Sequence, residues 1–199
     1  MARAENYDRD AALDAAMALF WRKGFHATSL KDLEASLQMK PGSIYAAFES
    51  KETLYLLALR RYFDASLLGF RTYMAQAASP LAGLVGHFQN FAQLSPDDRS
   101  SQACMLTKTL VDTKSTNPAI AQATQGYLDE IRDEFARAFE AARVAGELPQ
   151  GADPQRLARR YQANISALRI EIHRGSPKAV IDALAEDMAQ ELLTVAAQA

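Results

Sequence analysis

The sequence predicts an all-α chain of about nine helices in two domains, on three observations. Apolar residues recur at three- and four-residue spacing through most of the chain. Alternating Val, Ile and Thr runs of the strand type are missing, and glycine is sparse, at 9 of 199 residues. The stripes are punctuated by Ser79-Pro80, Asn117-Pro118, Asp153-Pro154 and Ser176-Pro177, each a cap or break followed by a proline suited to a first helical turn. A chain that is 49% hydrophobic and 23% charged has the composition of an ordered globular protein.

Residues 1–7 read as a polar, frayed tail, in which Arg3, with Arg9 just beyond, could touch phosphate. A first helix runs from Asp8 to about Lys23, with Leu13, Met17 and Phe20 as its apolar stripe and Gly24 as C-terminal cap. Trp21 reads as a packing residue and His26 as a solvated loop histidine. The second helix carries Leu30, Leu33 and Leu37, with Thr28 or Ser29 as its cap. Gln38 and Met39 turn the chain. Pro41 then opens a short helix whose Ile44 and Phe48 face inward. Lys40, Ser43, Tyr45 and Ala47 are left for the outer face. Phe25 closes over the small core, and Ser50 caps a long helix over 51–77.

That long helix lacks proline and outruns the N-terminal core, so it links residues 1–50 to a second domain over 51–199. Leu54, Leu57 or Ala58, Arg61, Asp64 or Ala65, and Leu68 trace one of its faces; Arg60 and Arg61 read as a solvated or salt-bridging surface. A helix over 81–94 presents Leu84, Phe88 and Phe91, and Ser95–Ser101 is a polar loop. The next helix holds the single cysteine, Cys104, in its first turn. A helix from Pro118 to Ala145 carries Ile120, Tyr127 or Leu128, Ile131, Phe135 and Phe139. Two helices close the chain. Leu157, Tyr161, Ile165 and Leu168 stripe the first; Ile181, Leu184, Met188 and Leu192 stripe the second at near-heptad spacing. With no further chain to cover this last stripe, a second copy of the protein is its simplest cover, making a homodimer through a four-helix interface.

Two short helices around a sharp turn, the second presenting small and polar groups, describe a helix-turn-helix that enters a major groove. Gly42 lets the helix approach base edges, Ser43 can donate or accept, and the Tyr45 hydroxyl reaches a phosphate or base. Lys51 puts charge at a helix N-terminus whose N–H groups also favour phosphate. Thr28 and Ser29 can serve the same way one helix earlier. The formal net charge is -2, and through Tyr62 Lys/Arg (3, 9, 22, 23, 31, 40, 51, 60, 61) nearly balance Asp/Glu (5, 8, 10, 14, 32, 34, 49, 52). Nonspecific DNA affinity is therefore expected to be modest.

The ordered set Ala16–Phe20, Gly24-Phe25, Thr28-Ser29, Leu33, Gly42-Ser43-Ile44-Tyr45, Phe48 and Ser50-Lys51 resembles the N-terminal domain of the tetracycline-repressor (TetR) family of bacterial regulators. The resemblance covers residues 8 to 62. It implies base reading by Lys40, Pro41, Gly42, Ser43, Tyr45 and Ala47, where small side chains here stand for the longer polar ones of other members. It implies a homodimeric repressor on double-stranded operator DNA, released by an inducer acting on the C-terminal domain. The segment Ala103–Leu110 is also similar to the cysteine-bearing helix of electrophile-sensing relatives of the NemR type.

Cys104 is thus either a small buried hydrophobe or a sensor whose thiolate is favoured by a helix N-terminus and by Lys108, four residues on. The aromatic stripe of Phe88, Phe91, Tyr127, Ile131 and Phe135 is either bundle core or the lining of a pocket for a small apolar or electrophilic inducer, with His87, Gln89, Asn164 and Arg169 as polar candidates. Three scattered histidines and one cysteine make no metal signature, and no cofactor is expected. No phosphate loop, nucleophile elbow or acid/base pair points to an enzyme. A helical ligand-binding or protein-interaction module without DNA binding is the competing class, and the Gly42–Tyr45 helix argues against it. One cysteine allows no intrachain disulfide, and no spanning or signal segment is legible, so the chain is expected in the cytoplasm with no membrane partner.

Overall fold

The computed structural model describes residues 8–94 and 103–197. The tail with Arg3 and the 95–101 loop lie outside these. Among the described residues there are nine helices: α1 (Arg9–Lys23), α2 (Leu30–Leu37), α3 (Pro41–Phe48), α4 (Lys51–Gln76), α5 (Pro80–Ala92), α6 (Met105–Thr113), α7 (Pro118–Val144), α8 (Pro154–His173) and α9 (Lys178–Ala196). None is long and apolar enough to cross a membrane.

Packing divides the chain into two units, Met1–Ala65 with Lys108–Gln125, and Ser66–Thr107 with Gly126–Ala199. This division does not follow the sequence boundary at residue 50. The first part of α4 has its buried side chains (Leu54, Tyr55, Ala58, Leu59, Tyr62, Phe63) in the first unit. Most of α6 and the start of α7 join them. Tyr55 Oη lies 2.7 Å from Thr109 Oγ1, and Lys108 Nζ donates to the Trp21 carbonyl at 2.7 Å. His26 Nε2 lies 2.7 Å from Thr116 Oγ1, so His26 is no free loop side chain.

In the first unit α1 buries Ala12, Ala16, Leu19 and Phe20; the expected Leu13 and Met17 are only half-buried. The small alanines let neighbouring helices approach, a role that apolar periodicity alone under-reads. Asp8 caps α1, and Gly24 ends it at φ 82°, a conformation that strains any residue with a Cβ. Trp21 packs edge-on against Tyr62, as expected. On α4, Leu68 is 66% exposed and drops out of the stripe assigned from sequence. Arg60 pairs with Asp64, and Arg61 with Asp10 and Asp14.

The second unit is built on a core that includes Phe70, Leu84, Phe88, Phe135, Phe139, Tyr161, Leu168, Ala185 and Met188. α5 packs most extensively on α9. Its approach to α4 depends on Gly86, where a Cβ would come within 2.5 Å of the Tyr73 hydroxyl. Ser79 caps α5, and Glu147 also accepts from the Leu81 amide at 2.9 Å. Arg71 grips Glu134 with two hydrogen bonds of 2.9 and 2.7 Å, tying α4 to α7. That pairing lowers the Glu134 carboxyl to a pKa of about 2. Asp153 caps α8 with Pro154 at its first position, as the sequence suggests. At α9 the pattern shifts by one: Pro177 is the N-cap residue itself, and the Ser176 hydroxyl turns back to Glu171.

Candidate nucleic-acid interface

The site grows from three caps. Ser29 and Asp32 form a reciprocal capping box. Ser29 Oγ accepts from the Asp32 amide at 3.2 Å, and Asp32 accepts from the Ser29 amide at 2.8 Å. Lys23 reaches Asp32 at 2.7 Å, and this bond, with those from Ser29, holds the carboxyl well below the usual range. Gln38 then takes the left-handed conformation, φ 54°, and reverses the chain. Lys40 is the N-cap of α3, and Pro41 occupies its first turn. Ser50 caps α4 by accepting from the Thr53 amide at 3.0 Å.

Between these caps, α3 divides cleanly. Ile44 and Phe48 are 2% and 1% exposed, buried within the first unit. Lys40, Gly42, Ser43, Tyr45 and Ala46 face solvent, while Pro41 and Ala47 are half-exposed. A Cβ at Gly42 would meet nothing within 4 Å, so packing within the chain does not call for a glycine there. Arg9, placed by sequence near phosphate, instead secures the far end of α3. Its Nη1 donates to the Ala47 carbonyl at 2.8 Å, and its guanidinium lies 4.9 Å above the Phe48 ring. Lys51 stands half-buried with its ammonium 4.6 Å from the centre of the Phe25 ring. Partial burial lowers its pKa.

Two members of the expected set change role. Thr28 is 1% exposed, and its hydroxyl donates to the Gly24 carbonyl at 2.6 Å. A buried, committed hydroxyl cannot contact DNA, so Thr28 holds the α1–α2 corner instead. Ser29 is exposed, but its hydroxyl is already shared within the capping box. The arginine anchor at α3 was missed because Arg9 and Ala47 are far apart in sequence, and no local pattern pairs them.

The remaining candidates fall elsewhere. Phe88 and Phe135 pack around Tyr161 with ring centroids 4.6 and 4.9 Å apart; Phe91 is also buried, and Tyr127 and Ile131 are half-buried. Beside Phe88 and Tyr161 there is a cavity of about 10 Å³, room for no more than about one water. This aromatic group is therefore core in the state described. His87 belongs to it: Tyr161 donates to the Leu84 carbonyl at 3.0 Å, which leaves His87 Nδ1 to donate to the Tyr161 oxygen at 2.7 Å. Burial, with the Arg169 guanidinium nearby, lowers the His87 pKa to about 3. Cys104 is half-buried and immediately precedes α6 rather than lying in its first turn; Lys108, expected to serve the thiol, donates to the Trp21 carbonyl.

The dimer stripe needs correction. Tyr161, Ile165, Leu168, Ile181, Met188 and Leu192 are all buried within the chain itself, and Leu157 and Leu184 are half-buried against the same core. The cover for this stripe is the protomer's own α5, α7 and α8. The large apolar side chains left open on α8 and α9 are Ile170, Val180 and Leu193, at 52%, 50% and 41% exposure.

An exposed, capped α3 after a left-handed turn defines a helix-turn-helix DNA-binding regulator. Two family models match the chain: "Bacterial regulatory proteins, tetR family" over residues 12–58, and "Tetracyclin repressor-like, C-terminal domain" over residues 80–185. The chain belongs to the TetR family. It is 28% identical over 176 residues to the HTH-type transcriptional repressor ComR of Escherichia coli K12, covering 87% of this chain and 83% of ComR. A cysteine mutant of the TetR-family regulator CifR, solved with 26-base-pair operator DNA, superposes with a TM-score of 0.86 at 25% identity, covering 94% of this chain and 98% of that one. Reduced E. coli NemR gives 0.81 at 16% identity, covering 94% and 96%; at that identity the likeness is one of fold alone.

Proposed function

We propose that this regulator is a homodimeric repressor, non-enzymatic and cytoplasmic, that reads a near-palindromic operator with the solvent face of α3. The observation that carries it is the division of α3. Ile44 and Phe48 hold the helix, while Lys40, Pro41, Gly42, Ser43, Tyr45 and Ala47 lie on its open or half-open surface with no core role to explain them all. Pro41, Ala46 and Ala47 suit thymine methyls, and Ser43 suits a base edge. Lys51 and Tyr45 supply phosphate contacts, and Ser29 offers its helix N-terminus. The subunits join through the outer faces of α8 and α9 around Ile170, Val180 and Leu193, which sets two α3 helices one DNA turn apart. A small apolar or electrophilic inducer acts on the second unit, through an opening of the Phe88–Phe135 core or through Cys104, and favours a state with wrongly spaced reading heads.

The test uses an operator duplex selected from random DNA by the full-length protein. Tyr45→Ala and Lys51→Ala are expected to weaken binding across sequences, and Lys51→Ala to reduce the salt slope by about one unit. Ser43→Ala is expected to relax sequence preference. Wild-type binding by all three variants at fixed salt removes α3 from the interface.

A further inference from the structure

The last turn of α3 ends on a corner that the backbone resists. Glu49, between α3 and α4, has φ 64° and ψ -54°. Across it the Ser50 amide donates to the Phe48 carbonyl at 2.7 Å. Those angles with that bond make a three-residue γ-turn of the rare, strained hand. A residue with a Cβ keeps such a conformation only where its surroundings impose it. Part of what holds α3 here comes from α1. The Glu49 amide closes the last turn on the Tyr45 carbonyl at 2.8 Å, and the Ala47 carbonyl is taken from outside by Arg9 Nη1 at 2.8 Å. The Arg9 guanidinium also lies 4.9 Å from the centre of the Phe48 ring. Its charge stands at the negative end of the α3 dipole. The turn of α1 that carries Arg9 is braced in its own right. Asp8 accepts from the Asp10 and Ala11 amides at 3.0 and 3.1 Å. Arg61 of α4 donates to Asp10 and to Asp14, each at 2.9 Å. A closed circuit results: α4 to α1 through Arg61, α1 to α3 through Arg9, and α3 back to α4 through the strained turn at Glu49.

We propose that Arg9 is a positioning residue for operator reading: by clamping the end of α3 to α1 it sets how the outer face of α3 meets the base edges, without itself touching DNA. The proposal rests on α3 as the reading helix. Ile44 and Phe48 bury α3, but burial alone leaves a helix of eight residues free to rock about its apolar side. The bond to the Ala47 carbonyl removes that freedom at the end away from Pro41. Loss of the clamp lets the corner at Glu49 relax, and the relaxed helix presents Ser43 and Tyr45 at a different tilt.

The test uses the full-length protein well below its thermal midpoint, with the selected operator duplex and a random duplex of equal length. Arg9→Met keeps the stem and removes the bond and the charge. Because Arg9 is exposed, the expected loss is modest, about threefold per reading head; two heads on one operator multiply this to about tenfold. The random duplex is expected to lose less, and the salt slope to stay unchanged, since no phosphate contact is removed. Arg9→Lys can still donate to the Ala47 carbonyl and is expected to recover most of the affinity. Without DNA, hydrogen exchange over residues 44–50 is expected to quicken in Arg9→Met and not in Arg9→Lys. A salt slope reduced by about one unit overturns the proposal, because Arg9 then neutralises a phosphate directly. Equal losses on both duplexes, unchanged exchange over residues 44–50, or faster exchange with operator affinity intact overturn it too. Should α3 not read DNA, Ser43→Ala and Tyr45→Ala bind as wild type and the proposal falls with that reading. Should the clamp alone be wrong, those two variants lose affinity or sequence preference and Arg9→Met does not.

Discussion

α3 and α9 are both amphipathic helices in the sequence, and the structure uses them in opposite ways. α3 has eight residues, of which two are buried, and the surface left over is the one proposed to read DNA. α9 has nineteen residues, and its apolar stripe of Ile181, Ala185, Met188, Ala189 and Leu192 is consumed by the chain's own core. In a short helix that begins at a proline and ends on a backbone bond from Glu49 to Tyr45, the buried positions are decided locally, and the exposed ones can be read by subtraction. In a long terminal helix, the stripe says that something covers it but not what. A partner subunit and the same chain's α5 present identical demands to Met188.

The largest effects should separate these two readings of α9. Met188→Glu places a carboxylate in a closed core without a partner, and is expected to cost about 3–5 kcal/mol. It should lower the thermal midpoint sharply, and not merely yield a folded monomer. Ile170→Glu lies on the open face of α8 and is expected to leave stability within about 1 kcal/mol while weakening the dimer. A folded, monomeric Met188→Glu protein by circular dichroism and sedimentation would return the stripe to the subunit interface.

The aromatic core around His87 gives the next effect. Its pKa is lowered from 6.5 to about 3, so between those values the unfolded chain holds a proton that the native chain does not. Stability therefore rises with pH across this window, and is lost as pH falls from about 6.5, by up to about 1.4 kcal/mol per pH unit. Burial raises the neighbouring Tyr161 hydroxyl well above its ordinary value, so it stays protonated across this window. His87→Phe keeps the Tyr161 bond to Leu84 and is expected to flatten the dependence there. Denaturant unfolding of both proteins at pH 6.5 and 5 checks it; equal slopes would mean that His87 is protonated in the native state.

What was legible divides along the same line. All nine helices, the α2–α3 turn, a cap at Thr28 or Ser29, the Ser50 cap and the Ile44–Phe48 pair follow from local signals: period, cap residues and proline position. What escaped depends on distant partners. The choice of Ala12 and Ala16 over Leu13 and Met17 on α1 depends on how closely the neighbouring helices approach. The hydroxyl of Thr28 could cap, contact phosphate or bond to Gly24, and only the closed corner decides. The Arg9 bond to Ala47 and the engagement of Lys108 with Trp21 join residues that no spacing connects.

Thr28 offers a smaller but cleaner test within the reading head. Thr28→Val keeps the shape and removes the bond to Gly24, and is expected to cost about 1–2 kcal/mol. Thr28→Ser keeps the hydroxyl and is expected to recover part of this. Operator affinity, measured well below the thermal midpoint, should then keep its salt slope. A slope reduced by about one unit in Thr28→Val would mean that this corner neutralises a phosphate after all.

Gly42 carries the smallest stability effect and separates the two sides of α3 most directly. Inside the chain, glycine in a helix is a liability, because its backbone loses more freedom on folding than that of alanine. A Cβ at Gly42 meets nothing within 4 Å, and the residue sits in the first turn of α3 at an ordinary helical conformation. Gly42→Ala is therefore expected to stabilise the protein by about 0.5–1 kcal/mol. On the proposed reading, the same methyl at the operator stands between α3 and the base edges, where close approach favours a bare backbone. Affinity for the selected duplex is expected to fall by about tenfold, near the cost of one poor base contact. Stability and binding thus move in opposite directions from one methyl group. A Gly42→Ala protein that is more stable and binds as well as wild type would show that the first turn of α3 stands off the DNA. One that is less stable would show that the open surface of α3 is occupied within the protein itself.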